Sequence, residues 1–355
     1  MTKLFLLYPE NLPEDHTERL DRILGQSLFS HPCQRISTAD QLEQWLPSLK
    51  GNRILFAVHL GASGLNTVLY QMVCVLRMHP DCLDNCFGGV IVDGCQDLYT
   101  KETGREIVFT MNQAGCTFPG RPLIEATGSL SNFTIQANLQ NTNTLTAYED
   151  SVSDLIQRLL TFTYVKPKKP NLLCIHASNN KSSNTYGLWE AIREKLPEIE
   201  IAEFNARNGE ITDCSGCPFK MCMHYSEKGS CFYGGTMVEE AYPAVEKCDG
   251  MILLCPNYND ALSANLTAFI NRLTSLYRRV SFSEKYLFSI VVSGYSGGDI
   301  VANQLISALN MNKRFILPGK FAMIETANDP GSIFLQEGIQ GRIDAFAQHI
   351  CHYLT

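Results

Sequence analysis

The amino-acid sequence predicts an α/β protein made of two doubly wound parallel-sheet domains in tandem. Short apolar runs alternate with helical periodicities along the whole chain, the order expected when helices connect the strands of a parallel sheet. The stretch Val165 to Asn171 interrupts that order near the midpoint, because Pro167, Pro170 and three lysines suit neither a helix interior nor a sheet interior. Beyond it the order begins again, and three segments recur at one separation. Gly88–Gly94 matches Phe288–Gly294, Phe118–Arg121 matches Leu317–Lys320, and Leu123–Glu125 matches Met323–Glu325, all offset by 199 or 200 residues. One offset met three times points to duplication. The expected division is a domain over 1–164, a linker over 165–170 and a domain over 171–355.

In the first half, apolar runs give strands at 3–8, 33–37, 53–58, 87–93 and 121–126. Helices follow at 14–26, 39–48, 65–78, 102–114 and 148–163. In the second half the strands fall at 171–176, 199–204, 250–255, 286–293 and 316–324, with helices at 184–196, 235–247, 263–278, 298–310 and 337–354. Continuous rather than alternating apolar runs are the mark of strands covered on both faces.

Composition limits the functions available. Hydrophobic residues make up 45% and charged residues 18%, which excludes a disordered, fibrous or disulfide-stapled chain. The net charge of -7, with basic residues scattered except at Lys166, Lys168 and Lys169, gives nucleic-acid binding no electrostatic support. Met251–Cys255 and Leu287–Val292 fall far short of the ~18 apolar residues that span a bilayer. The Leu4–Tyr8 run leads into Glu10, Glu14 and Asp15 rather than an export signal. No membrane partner is expected, and fourteen cysteines in such a chain point to a reducing cytoplasm.

The loops at the carboxyl ends of the second-half strands carry the chemistry, since ligands of open α/β sheets lie there. After the first strand, His176 to Thr185 is a run of hydroxyl and amide side chains that ends where a helix begins, the setting for a phosphate held by backbone N–H groups and the helix dipole. Ser183 or Asn184 would also serve as an ordinary helix cap. No Walker pattern and no Gly-x-Gly-x-x-Gly is present, which disfavours nucleoside triphosphates and a Rossmann dinucleotide. Two further loops, Pro256–Asn265 and Gly294–Gly298, are expected at the same edge. No Ser-His-Asp constellation and no catalytic carboxylate pair stands out. His59, His176 and His224 lie near this edge and read as solvated or hydrogen-bonded histidines, so no catalytic residue is assigned.

Together these residues resemble the NADPH-dependent FMN reductase and multimeric flavodoxin-like family over about 171–330. That family shares a Gly-Ser-x-Arg-x-x-Ser-Asn-Thr loop, a Pro-x-Tyr turn before a Phe-Ile-Asp-Arg helix, and a glycine-rich loop after the fourth strand. The counterparts are Ala177–Thr185, Pro256–Tyr258 with Phe269–Arg272, and Gly294–Gly298. The resemblance implies two flavodoxin-like domains and FMN as cofactor. Ser178, Asn180, Ser183, Asn184 and Thr185 would surround the phosphate, and Pro256, Asn257, Tyr258, Asn259 and Asp260 would line the flavin ring. Ser293, Gly294, Tyr295, Gly297 and Gly298 would close its other side. Ala177 replaces the first Gly, Asn180 the Arg, Asp260 a Gly and Asn271 the Asp. Losing the Arg weakens phosphate attraction, for which Lys181 is a substitute, and Asp260 brings a carboxylate near the flavin.

Cys214, Cys217, Cys222 and Cys231 crowd one segment with spacing x2, x4, x8. Thiolates so gathered suit an iron–sulfur cluster or zinc, and a thiol redox pair or plain loop packing stays open beside them. Iron–sulfur members of the family carry cysteines in this loop, near the flavin edge.

The resemblance implies an FMN-dependent oxidoreductase that takes electrons from NAD(P)H, as a transient reductant, or from a redox protein. It would pass them to a quinone, flavin or protein acceptor. A non-enzymatic electron carrier and a cofactor-free scaffold are the rival readings, and a homodimer is the assembly that relatives suggest. The first half is expected to keep the fold without the cofactor, because Glu10, Glu14 and Asp15 would repel a phosphate. It would then cover the flavin site as a second subunit does, with Tyr99 and Lys101 as contacts.

Overall fold

A computed structural model describes residues 2–10, 18–164, 166–178, 182–207 and 211–355. Among them no helix is long and apolar enough to cross a membrane. The chain divides into two compact units, Met1–Thr163 with Pro318–Lys320, and Tyr164–Leu317 with Phe321–Thr355.

Each unit holds one five-stranded, all-parallel sheet with helices between successive strands. The first contains β1 (Leu4–Leu7), β2 (Cys33–Ile36), β3 (Arg53–Leu60), β4 (Phe87–Gly94) and β5 (Leu123–Ala126), in the order β2-β1-β3-β4-β5. The second contains β6 (Asn171–His176), β7 (Glu200–Asn205), β8 (Gly250–Pro256), β9 (Tyr286–Ser293) and β10 (Ala322–Thr326), in the order β10-β9-β8-β6-β7. Read from opposite ends the two orders are the same, and the chain is two flavodoxin-like α/β domains in tandem. Every residue of β3 and β9 is buried, which explains why apolar residues fill both faces of these strands apart from Arg53, His59, Ser289 and Ser293.

The correspondence extends to single residues. Ile91 of β4 pairs with Ile124 of β5, and Val291 of β9 pairs with Ile324 of β10, repeating the 200-residue offset in register. Isolated bridges join Phe87 to Thr117 and Tyr286 to Ile316. Arg121 and Lys320 both take φ of 56°. Gly115 at φ 102° has Arg314 at φ 67° as its counterpart. The Asn112 side chain donates to Cys116 O, and Asn310 donates to Phe315 O.

Several boundaries differ from the sequence expectation for identifiable reasons. The strand expected over 316–324 is cut to β10 and one bridge, because Pro318 offers no N–H and Lys320 is left-handed. The helix expected over 235–247 opens with a wide π turn, Met237–Ala241, just ahead of Pro243, whose missing N–H leaves one helical hydrogen bond unmade. Helices Thr134–Gln140 and Phe219–Glu227 were not anticipated, being short and, in the second case, carrying little apolar periodicity. The helix expected from 14 is seen from Glu18, and 11–17 lie outside the described residues.

The Gly115 and Arg314 pair gives a direct test of the shared frame. A Cβ on Gly115 would lie 2.3 Å from Asp84 Oδ1. Gly115→Ala should therefore cost about 1–3 kcal/mol through overpacking and strain. Arg314→Gly should cost nothing, because relief of about 1–2 kcal/mol of left-handed strain outweighs about 0.4–1 kcal/mol of added chain entropy. Thermal unfolding of the two variants checks both signs.

Candidate functional site

Strands β6 and β8 are neighbours in the sheet, and the chain leaves them toward opposite faces, so their following loops part and leave a crevice. A cavity of about 660 Å³ occupies it, within the roughly 300–1,000 Å³ usual for small-molecule sites. Of the residues expected at the site, Ser178, Ser183, Asn184, Thr185, Pro256, Asn257, Tyr258, Asn259, Asp260, Gly294 and Tyr295 line it. Ser293, Gly297 and Gly298 stand behind the wall, where they touch Asn257, Asp260 and Ile324. Asn180 and Lys181 lie outside the described residues. Ser182, Val292, Ser296, Ala327 and Asn328 also line the cavity and were not named in advance. The first three fall inside or beside stretches already singled out. Ala327 and Asn328 follow β10, and only the rule that all parallel strands end at one edge could have pointed to them.

The wall expected from the sequence to meet a phosphate is built on the helix Asn184–Arg193. Leu188, Trp189 and Ile192 bury one face of this helix, and Trp189 Nε1 and Arg193 Nη1 both donate to Glu203 Oε1 of β7 at 3.0 Å. Ser183 caps it by accepting from Tyr186 N at 3.3 Å and shares a 2.8 Å hydrogen bond with Thr185 Oγ1. The first helical N–H groups have no acceptors within the helix and carry its positive dipole end. Asn184 lines the cavity and also makes two hydrogen bonds across to the loop after β10. Its Nδ2 donates to Asp329 O and its Oδ1 accepts from Gly331 N, both at 2.9 Å, so the side chain ties the loop after β10 to the helix start.

His176, 2% exposed at the end of β6, accepts the Ser178 N–H at Nδ1 over 3.3 Å. Burial holds its pKa below the ordinary 6.5, with Glu203 opposing that shift and Arg207 adding to it. The imidazole that holds the backbone of Ser178 at the start of this loop is therefore neutral at neutral pH.

The opposite wall is a tight hairpin. Tyr258 and Ala261 exchange backbone hydrogen bonds of 3.3 and 3.2 Å around Asn259 and Asp260, whose φ values are 54° and 58°. Two consecutive left-handed residues define a type I′ turn, which Asn and Asp tolerate better than other non-glycine residues. The geometry explains why a Gly stands at Asp260 in the family pattern. Asn257 is the hub behind this hairpin, since its Nδ2 lies 3.0 Å from Ser296 O, 3.1 Å from Ser293 Oγ and 3.2 Å from Asp260 Oδ1. Its Oδ1 is buried with no hydrogen-bond partner among the described residues. Gly297, at φ 84°, takes a conformation that favours glycine, and a Cβ there would also displace the Asp260 carboxylate.

The four clustered cysteines line a second, smaller cavity of about 190 Å³ with Tyr225, Phe232, Tyr233, Arg272 and Arg278 among its walls. Cys214 is exposed and the other three are half-buried. They share this cavity without converging. Among the described residues no group of three or more His, Cys, Asp or Glu side chains is arranged to hold a metal ion. As placed, they do not form the ligand set that their spacing suggested. The helix Ala264–Tyr277 anchors the segment through Asn271, which donates to Asp213 Oδ1 at 3.0 Å, and through buried Arg272, which donates to Gly234 O at 2.8 Å and Thr212 O at 3.5 Å. His224, on the exposed helix beside the cysteines, lies 3.0 Å from Lys228 Nζ.

Residues 170–329 match the model of the family described as NADPH-dependent FMN reductase. Among curated proteins none shows a significant match. Similar solved structures include an apo NADH:FMN oxidoreductase at 16% identity, covering 54% of this chain and 91% of that one, with a TM-score of 0.37. The NAD(P)H:quinone oxidoreductase of Methanothermobacter marburgensis shows 14% identity, coverage of 53% and 100%, and a TM-score of 0.41. A flavodoxin, WrbA-like protein of Agrobacterium tumefaciens shows 13% identity, coverage of 52% and 99%, and a TM-score of 0.33.

The depressed His176 pKa has a sign that can be measured. Because the folded value lies below 6.5, the unfolded chain binds more protons between the two values, and stability falls as pH drops through that window while staying flat above it. The unfolding midpoint of the ligand-free second domain should fall on acidification from pH 7.5 to 5.5. The fall should be smaller in His176→Asn, whose amide oxygen still accepts from Ser178. Equal pH slopes in the two proteins would contradict this role for the histidine.

Proposed function

Starting from a second domain that matches the NADPH-dependent FMN reductase family, we propose that the chain is an FMN-dependent oxidoreductase with one FMN in the crevice above β6 and β8. The observation that carries this reading is the convergence of a polar helix-capping loop and a rigid hairpin wall on one cavity of suitable size. The residues present fit the cofactor. Ser178, Ser183 and Thr185 offer hydroxyls beside a helix N-terminus, as a phosphate requires, and the buried Asn257 Oδ1 is an acceptor awaiting a donor. A Cβ on Gly294 would lie 3.2 Å from Asn328 Oδ1, so glycine keeps that wall close to the loop after β10.

When bound, FMN supplies a ring that stores one or two electrons and accepts hydride. The chain's residues then need only position it and adjust the charge around it. Tyr258 and Tyr295, 60% and 85% exposed at the mouth, offer aromatic faces to a planar reactant such as a nicotinamide or quinone. The Asp260 carboxylate disfavours added negative charge on any group held beside it. NAD(P)H is the proposed donor, and a quinone, flavin or redox protein the acceptor.

Fluorescence titration should give one FMN per chain. Replacing Ser178 with Ala and Thr185 with Val leaves the Ser183 cap in place and should weaken binding by about a hundredfold or more, as expected for the loss of two charge-assisted hydrogen bonds of about 1.5–3 kcal/mol each. Unchanged affinity would overturn the phosphate-loop assignment. A flavin-loaded chain that oxidises neither NADH nor NADPH would be an electron carrier instead.

A further inference from the structure

The first domain carries a different constellation at the same sheet edge. Leu55 pairs with Gly89 and Leu253 with Ser289, so in the duplicated frame His59 and Asp93 stand where Asn257 and Ser293 stand, and Cys95 stands where Tyr295 does. In the second domain the equivalent pair is joined by a neutral hydrogen bond. Here it belongs to a chain of four ionisable groups. Arg19 donates to both oxygens of Asp93 at 2.8 and 2.9 Å, His59 Nδ1 lies 3.3 Å from Asp93 Oδ1, and His59 Nε2 lies 3.4 Å from Cys95 Sγ. Asp93 is 1% exposed and His59 4%, whereas Cys95 is open to solvent.

The tautomer follows from the partners. Burial alone would raise the Asp93 carboxyl, but hydrogen bonds from His59 and Arg19 and the charge of the guanidinium hold it below the ordinary range, so it is an acceptor only. The shared proton must then sit on Nδ1, and the Nε2 lone pair faces the thiol. Moving the Cys95 proton to Nε2 leaves the four groups with the same zero net charge, because Arg19 balances Asp93 and the imidazolium balances the thiolate. Among the described residues Tyr8 and Tyr148 also face the network, and burial raises both and keeps them neutral. Arg19 is held in addition by Gly94, Thr127 and Gly128 carbonyls, which fixes the carboxylate and through it the ring.

From this geometry we infer that the first domain contains a nucleophilic thiol site for disulfide substrates, with Cys95 as nucleophile, His59 as its proton acceptor, and Asp93 and Arg19 as positioning residues. The Cys95 sulfur attacks one sulfur of the disulfide, a mixed disulfide forms, the old S–S bond breaks, and the departing thiolate takes the proton from His59. One disulfide and one Cys95 thiol give one mixed disulfide and one small thiol, with no further oxidant. Acyl transfer is disfavoured because it needs an oxyanion hole, and the Cys95 N–H is already given to Leu60 O at 3.1 Å.

The test compares cysteines within one intact chain. At pH 6.5, iodoacetamide should alkylate Cys95 at least about tenfold faster than exposed Cys74, each site being read by peptide mass spectrometry. With 2-hydroxyethyl disulfide, Cys95 should gain one mercaptoethanol adduct as one thiol is released. His59→Asn, and to a lesser degree Asp93→Asn, should move the pH profile of labelling to that of Cys74. Cys95 labelling at the Cys74 rate with the same pH profile in the unaltered chain would overturn the inference, whatever the variants do. Alkylation that is fast without any adduct from the disulfide would overturn the substrate class.

Discussion

Everything at the two sheet edges depends on one constraint, that each central strand is hydrogen-bonded in parallel on both sides. Parallel neighbours end together, so the loops after β6, β8, β9 and β10 reach the same edge even though more than a hundred residues separate the first from the last. The crossovers after β6 and β8 go to opposite faces, and the gap between them is a consequence of topology rather than of any particular side chain. Side chains decide only what the gap holds.

What keeps the second-domain gap open and shaped is backbone conformation more than burial. The hairpin at Asn259 and Asp260, the left-handed Gly297 and the close approach at Gly294 put the wall within reach of Asn257 and Asn328. These positions resist substitution for different reasons. Asp260 tolerates its left-handed φ because an acidic side chain can hydrogen-bond locally, and it does so with Asn257. Gly297 takes a conformation that favours glycine, and a Cβ there would also displace the Asp260 carboxylate. A single aspartate thus fills the role of a glycine in the turn and favours a glycine across from it.

The fold was legible because the signals that specify it are local and repeated. β6 and β9 were bounded correctly from their apolar runs alone, and the 200-residue offset between β4 and β9 reappears as register. Most cavity-lining residues could be named because they sit in loops whose place follows from topology. What could not be read was how polar side chains spend their hydrogen bonds. Asn184 looks the same in sequence whether it meets an anion or, as here, clamps Asp329 and Gly331. The cysteine spacing carries no information about whether the sulfurs meet, and the answer depends on a helix at Phe219–Glu227 that has little periodicity to announce it. The Cys95, His59 and Asp93 chain was missed because its members are 34 and 2 residues apart and only the β3·β4 register joins them.

That register also shows how two copies of one frame diverged. Replacing the positions of Asn257 and Ser293 by His59 and Asp93 exchanges a neutral hydrogen bond for an ionic one, and a buried carboxylate demands a cation. Arg19 meets the demand from the helix that follows β1, and its guanidinium lies against the Gly94, Thr127 and Gly128 carbonyls, the loops that in the other domain border the cavity. Tyr99 lies over Gly64, where a Cβ would meet its ring, and Lys101 pairs with Glu125. Each replacement makes the next one favourable: the carboxylate orients the imidazole, the arginine keeps the carboxylate ionised, and the ring turns its free nitrogen toward a thiol. The same edge that in one copy frames an open cavity holds in the other an ion pair, an imidazole and a thiol in sequence.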